Sequence, residues 1–175
     1  MKRLSIPANQ TSINFDNFLT CSLPNLIIVG LVIDADLAVG YQRNPFNFQN
    51  FGLNSIELKR NGTSRPSEGY TPNFANGQYI KAYMTFLQEL ECVTGDKSVS
   101  LAPFEWANGY TLYAFKITDG SIGQDTYGQQ SKSATGSARL EVSFAAAVNK
   151  YIKVILHYQM LGRLEFDRFH AVLVL

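Results

Sequence analysis

Cysteine, histidine and clustered charge are all scarce in this sequence, and each scarcity removes a class of protein. Cys21 and Cys92 are the only cysteines, so a disulfide-rich secreted scaffold is excluded and at most one bridge is possible. The first seven residues are short, charged and alternating rather than a long apolar run, so no secretory leader is expected and both thiols are expected to be free. The sequons at Asn9 and Asn61 carry little weight without a leader. His157 and His170 are the only histidines, thirteen positions apart. A cupin-type metal site needs two neighbouring histidines and a carboxylate on facing strands, so satisfied or surface-facing histidines are expected instead. Pairing His157 with either cysteine as a nucleophile has no local signature. Lys2-Arg3 and Lys59-Arg60 are the only adjacent basic pairs, and the net charge is +1. No nucleic-acid groove is indicated. The longest apolar run, Leu26 to Ile33, is interrupted by Gly30 and ended by Asp34. It falls well short of the roughly 18 residues of a membrane helix. Phosphate-loop, dinucleotide, zinc-protease and nucleophile-elbow motifs are all missing. No catalytic residue, metal ligand or cofactor is assigned.

Aromatic and β-branched residues are plentiful. Hydrophobic residues make up 46% and aromatics 13%, with twelve Phe and nine Tyr. The composition is globular and strand-rich, and 175 residues suit a single domain over the whole chain. Alternation predicts strands at Lys2 to Ala8 and at Thr11 to Leu19, the second bulged. Leu26 to Ile33 reads as a strand buried on both faces, and Asp34 to Gly40 as a loop or one helical turn. Leu53 to Asn61 is a strand running into Asn61-Gly62, a pair that takes the positive φ angles of a tight hairpin. Thr63 to Asn73, rich in Ser, Pro, Gly and Thr, reads as a loop. The one helix is expected at Asn76 to Glu91, with Asn76 as N-cap, Ile80, Tyr83, Met84 and Leu87 on its inner face, and Gly95 as its stop. Glu89 and Glu91 fall in its last turns and are expected to be solvated. Further strands are expected at Gly109 to Thr118, Gly136 to Phe144 and Tyr151 to Met160, with one or two more in Arg163 to Leu175. Asp119 to Thr135 is expected to be a long surface loop, exposed or resting on a neighbouring subunit. The fold class is therefore all-β: an antiparallel sandwich of about eight strands with one inserted helix, of jelly-roll or immunoglobulin-like type.

The stretch Tyr41 to Gly62, YQRNPFNFQNFGLNSIELKRNG, stands apart. Phe46, Phe48 and Phe51 are packed into a loop and interleaved with Asn44, Asn47, Gln49 and Asn50. Such rings, each worth on the order of 150–250 Å² if buried, must be covered by the domain or by another subunit. The amides suit bonding to backbone groups, which would stiffen the loop. The pattern R-N-P-F-N-F-x-x-F-x-L-N before a hairpin strand resembles the C-terminal half of the major capsid proteins of Polinton (Maverick) elements and adintoviruses. The resemblance continues at Phe74 to Tyr83, Gly109 to Phe115 and Gly136 to Val142. It implies a jelly roll, the second roll of a double jelly-roll protein. It further implies homotrimers of pseudo-hexagonal outline that tile an icosahedral shell with other capsid proteins. The implied setting is a virion capsid assembled inside the host cell, with no small-molecule substrate, nucleic-acid site or membrane. Here Arg43, Asn44, Pro45, Phe46, Phe48 and Phe51 form the candidate subunit interface. A satellite core beneath the loop is the competing reading. The alternative function is a lectin-like carbohydrate-binding sandwich. It would use Asp34 and Asp36, which point the same way if extended and could hold a hard cation, together with an exposed aromatic such as Trp106.

Overall fold

A computed structural model describes residues 1–38, 40–93, 99–117, 134–160, 164–166 and 172–174. Among these residues ten strands run in chain order: β1 (Lys2–Ile6), β2 (Gln10–Leu23), β3 (Leu26–Ile33), β4 (Leu53–Arg60), β5 (Thr63–Tyr70), β6 (Leu112–Lys116), β7 (Ala134–Val148), β8 (Ile152–Gln159), β9 (Leu164–Phe166) and β10 (Val172–Val174). Two helices, α1 (Ile80–Glu89) and α2 (Pro103–Ala107), lie between β5 and β6. One sheet has the order β1-β8-β3-β6 and the other β2-β7-β4-β5, while β9 and β10 form a separate pair. Every pairing is antiparallel.

That order has a simple origin. Strands β4 and β5, β3 and β6, β2 and β7, and β1 and β8 are all paired. The chain is thus one long antiparallel ribbon bent at its midpoint, and rolling it up brings β8 against β3 and β7 against β4. This is the jelly roll. The midpoint is the Asn61-Gly62 turn, with φ of 48° and 85°, the paired positive values a two-residue hairpin needs. Rolling also places the β3–β4 and β5–β6 connections side by side at one end of the sandwich, because the strands they join are neighbours in both sheets.

The inner faces supply the core. Ile27, Val29 and Leu31 of β3 meet Leu53, Ile56 and Leu58 of β4 and Ala138, Leu140 and Val142 of β7 in one buried cluster. Along β3 the alternate positions Leu26, Gly30 and Val32 are buried too and Ile28 is half-buried, so its near-continuous apolar run is explained by cover on both faces. Strand β2 is bulged, with register shifts between Gln10 and Ser12 and between Phe15 and Leu19. Asn17 in the second bulge has a φ of 48°. Because β2 is an outer strand, such irregularity makes its edge a poor template for another chain.

Several expectations need correction. Thr63 to Tyr70 is strand β5 and not a loop. It is an edge strand, where Pro is tolerated because only one side of the backbone must pair. Its pairing with β4 skips from Arg65 to Tyr70, so Pro66 to Gly69 drop out of register. Helix α1 begins at Ile80, later than expected, and its N-cap position is Tyr79. Asn76 donates its own N–H to Asn73 Oδ1 (3.2 Å) in a turn closed by the Asn73–Gln78 bridge. The inner face of α1 carries Ala82, Tyr83 and Phe86, whereas Ile80 and Met84 are exposed. The helix stops at Leu90 without a glycine: Glu91 takes a φ of 58°, and Cys92 N–H reaches Leu87 O (3.0 Å), closing a Schellman turn. Gly95 lies outside the described residues, as do 118–133 of the expected surface loop. Strand β7 continues through Ala145 to Val148, where a connection was expected.

Candidate functional site

The end of the sandwich formed by the β3–β4 and β5–β6 connections holds the aromatic loop. Its geometry follows from one missing side chain. Gly30 lies on the outer face of β3, and the ring of Phe48 occupies the space above it. A Cβ at Gly30 would sit 2.5 Å from Phe48 Cδ1 and 2.9 Å from Leu112 Cδ2. The loop is therefore folded back over its own sheet. Its backbone is stitched in place: Phe48 N–H donates to Gly109 O (2.8 Å), Thr111 N–H to Phe48 O (2.9 Å) and Gln49 N–H to Leu31 O (3.1 Å).

The predicted interface residues thus separate. Phe48 and Phe51 are half-buried, and Phe51 packs on the core cluster. Phe46 projects, 71% exposed, and Arg43, Asn44 and Pro45 are exposed beside it. Arg43 Nη1 donates to Ala35 O. The four interleaved amides separate as well. Asn44 Oδ1 accepts the N–H of Phe46 (3.0 Å). Asn50 Oδ1 accepts the N–H of Gly52 (2.8 Å), and its Nδ2 donates to Ala107 O (2.9 Å). These two hold the loop's turns and tie it to α2, as amides in turns do. The amides of Asn47 and Gln49 have no partner among the described residues.

Across from the loop stands α2, which the sequence reading missed. Its signal was Pro103 at the first helical position with Glu105 two residues on. Glu105 Oε2 accepts the N–H of Ala102 (3.0 Å). Helix α2 exists to deliver Trp106, which is fully buried. The indole N–H donates to Leu112 O (2.9 Å). Its ring sits among Phe74, Tyr79, Tyr83, Phe86 and Tyr113 at centroid distances of 5.8 to 6.5 Å. Trp106 therefore pins both helices to the edge of the sandwich and offers no surface to a sugar, contrary to the lectin-like expectation.

The other half of that expectation also changes. Asp34–Leu37 is a single 3-10 turn, so Asp34 and Asp36 are not extended neighbours and their side chains diverge. Asp34 Oδ1 lies 3.5 Å from Lys153 Nζ. Among the described residues no group of three or more His, Cys, Asp or Glu could hold a metal ion. His157 is exposed on β8, while His170 lies outside the described residues. Cys92 is a free thiol. No described helix is long and apolar enough to cross a membrane.

Glu89 and Glu91 are not simply solvated. Glu89 Oε2 accepts the backbone N–H of Lys116 (2.7 Å), and Glu91 Oε1 meets Lys116 Nζ at 2.6 Å. Strand β6 is the outer strand of its sheet, and these carboxylates cover part of its open edge. Burial holds the Glu89 carboxyl above its ordinary range, partly offset by the Lys116 N–H and by the charges of Lys116 and Arg65.

Between the loop and α2 runs a cleft of about 460 Å³ lined by Asn47, Gln49, Asn50, Phe51, Ala107, Asn108 and Gly109. No protein-family model matches the chain, and no curated protein does.

Proposed function

We propose that this chain is a structural building block, a jelly-roll domain of a virus-type major capsid protein, which associates with copies of itself and with other capsid proteins and carries out no catalysis. The observation that carries the reading is the rolled ribbon itself, β1-β8-β3-β6 against β2-β7-β4-β5, together with the ordered sequence motifs that resemble that family. The exposed Phe46 supports the association half of the proposal. A ring that stands 71% exposed on a backbone-stitched loop is a pre-organised apolar contact, of the kind that anchors interfaces. In the proposed setting the chain acts as the second roll of a double jelly roll, within a trimer of the virion capsid. Light scattering coupled to size separation, followed by electron microscopy, tests the proposal. Concentration-dependent trimers or capsomer-like particles are expected. A chain that stays monomeric at the highest soluble concentration, alone and with a partner roll, overturns it.

A further inference from the structure

We infer that the cleft between the aromatic loop and α2 binds a neutral, hydroxyl-rich ligand, a pyranose sugar, without a metal ion. Three observations converge on that chemistry. The cleft, about 460 Å³, is lined by no charged side chain among the described residues, so an ionic ligand would find no counter-charge there. Its polar groups are amides held ready. Among the described residues the amides of Asn47 and Gln49 have no partner, and Asn108 spends only its Nδ2, on Phe104 O (2.8 Å). An amide both donates and accepts, as a sugar hydroxyl does, so neighbouring amides match neighbouring hydroxyls. The third observation is positional. Gly109, at a φ of 105°, has Asn47 Oδ1 within 3.2 Å of the place a Cβ would take. A side chain at 109 would displace the amide, so the backbone keeps room for it. The volume falls in the range of small-ligand sites. This site shares no residue with the Asp34, Asp36 and Trp106 arrangement.

The inference rests on the cleft and not on association, so a monomeric chain would overturn the capsid reading and leave this one standing. The test is titration of the full chain with the methyl glycosides of glucose, galactose, mannose and N-acetylglucosamine, read by saturation-transfer NMR. At least one should bind with a Kd in the millimolar range, and a chelator should leave binding unchanged. Asn47→Ala and Gln49→Ala should each weaken it by about fivefold, roughly the worth of one hydrogen bond, at unchanged melting temperature. Asn47→Asp, which keeps the size and changes the charge, provides the same reading if the alanine variant folds poorly. The inference is overturned if none of the four glycosides binds below about 20 mM. It is equally overturned if binding survives the Asn47→Ala/Gln49→Ala double variant.

Discussion

Tyr70 and Tyr113 lie with their rings 5.2 Å apart, both fully buried, yet their hydroxyls fare differently. Tyr70 donates to Ala114 O at 2.6 Å, whereas the Tyr113 hydroxyl has no partner among the described residues. Burial pushes both hydroxyls well above the usual tyrosine range, so both stay protonated and uncharged. An unmade hydrogen bond costs more than a made one contributes. Tyr113→Phe should therefore hold or raise stability, by up to about 1 kcal/mol, while Tyr70→Phe should lower it by about 1 kcal/mol. Urea unfolding of the two variants checks the contrast, and equal losses would contradict it. Glu89 gives a pH prediction. Because its folded carboxyl titrates above the ordinary value, its ionisation opposes folding. Its favourable contribution is complete below the ordinary carboxylate range and is lost as pH rises through the raised folded value. Glu89→Gln keeps an acceptor for the Lys116 N–H but cannot ionise. Unfolding between pH 4 and 8 should show the parent losing stability relative to this variant on the alkaline side. A parallel pair of curves would show that Glu89 does not titrate abnormally.

At the scale of the element, the aromatic loop acts as a lid on its own sheet with one ring left over. Gly30→Ala would drive a methyl group into Phe48 and Leu112. Overpacking of that kind costs about 1–3 kcal/mol, and the loop should become more open to proteolysis. Phe48→Ser removes the covering ring and should cost roughly 3 kcal/mol, the lower end for a buried Phe. Phe46→Ser should leave the melting temperature unchanged and weaken self-association. If Phe46→Ser instead destabilises the monomer and leaves its size distribution unaltered, Phe46 is not a subunit contact. Helix α2 makes the opposite prediction. Trp106→Ala empties the centre of the cluster that holds α1, α2 and β6 together and should cost about 3–5 kcal/mol, measured by thermal or urea unfolding. The sequence showed Trp106 only as a lone tryptophan, read as an exposed aromatic. Its burial depends on Phe74, Tyr83 and Tyr113, residues from three other segments.

At the scale of the whole molecule, the protein is a ribbon whose midpoint turn is written locally and whose rolling is not. The sequence by itself determined the strands with strong alternation or long apolar runs, β1, β3, β4, β7 and β8. It also determined the Asn61-Gly62 turn, and with these the all-β class, because side-chain periodicity and positive-φ preference are properties of neighbouring residues. Only the tertiary structure decided that Thr63 to Tyr70 is a strand, since a Pro- and Gly-bearing segment pairs only when a partner such as β4 holds it at an edge. It alone turned α1 so that Tyr83 and Phe86 face inward while Ile80 and Met84 face out: three- and four-residue spacing marks more than one stripe of a helix, and the choice fell to the Trp106 cluster. The aromatic loop shows the division most clearly. Its sequence stated that three rings and four amides share one loop. Which rings are covered, and which amides find partners, was set by Gly30 and Ala107, residues brought beside the loop only when the ribbon rolls.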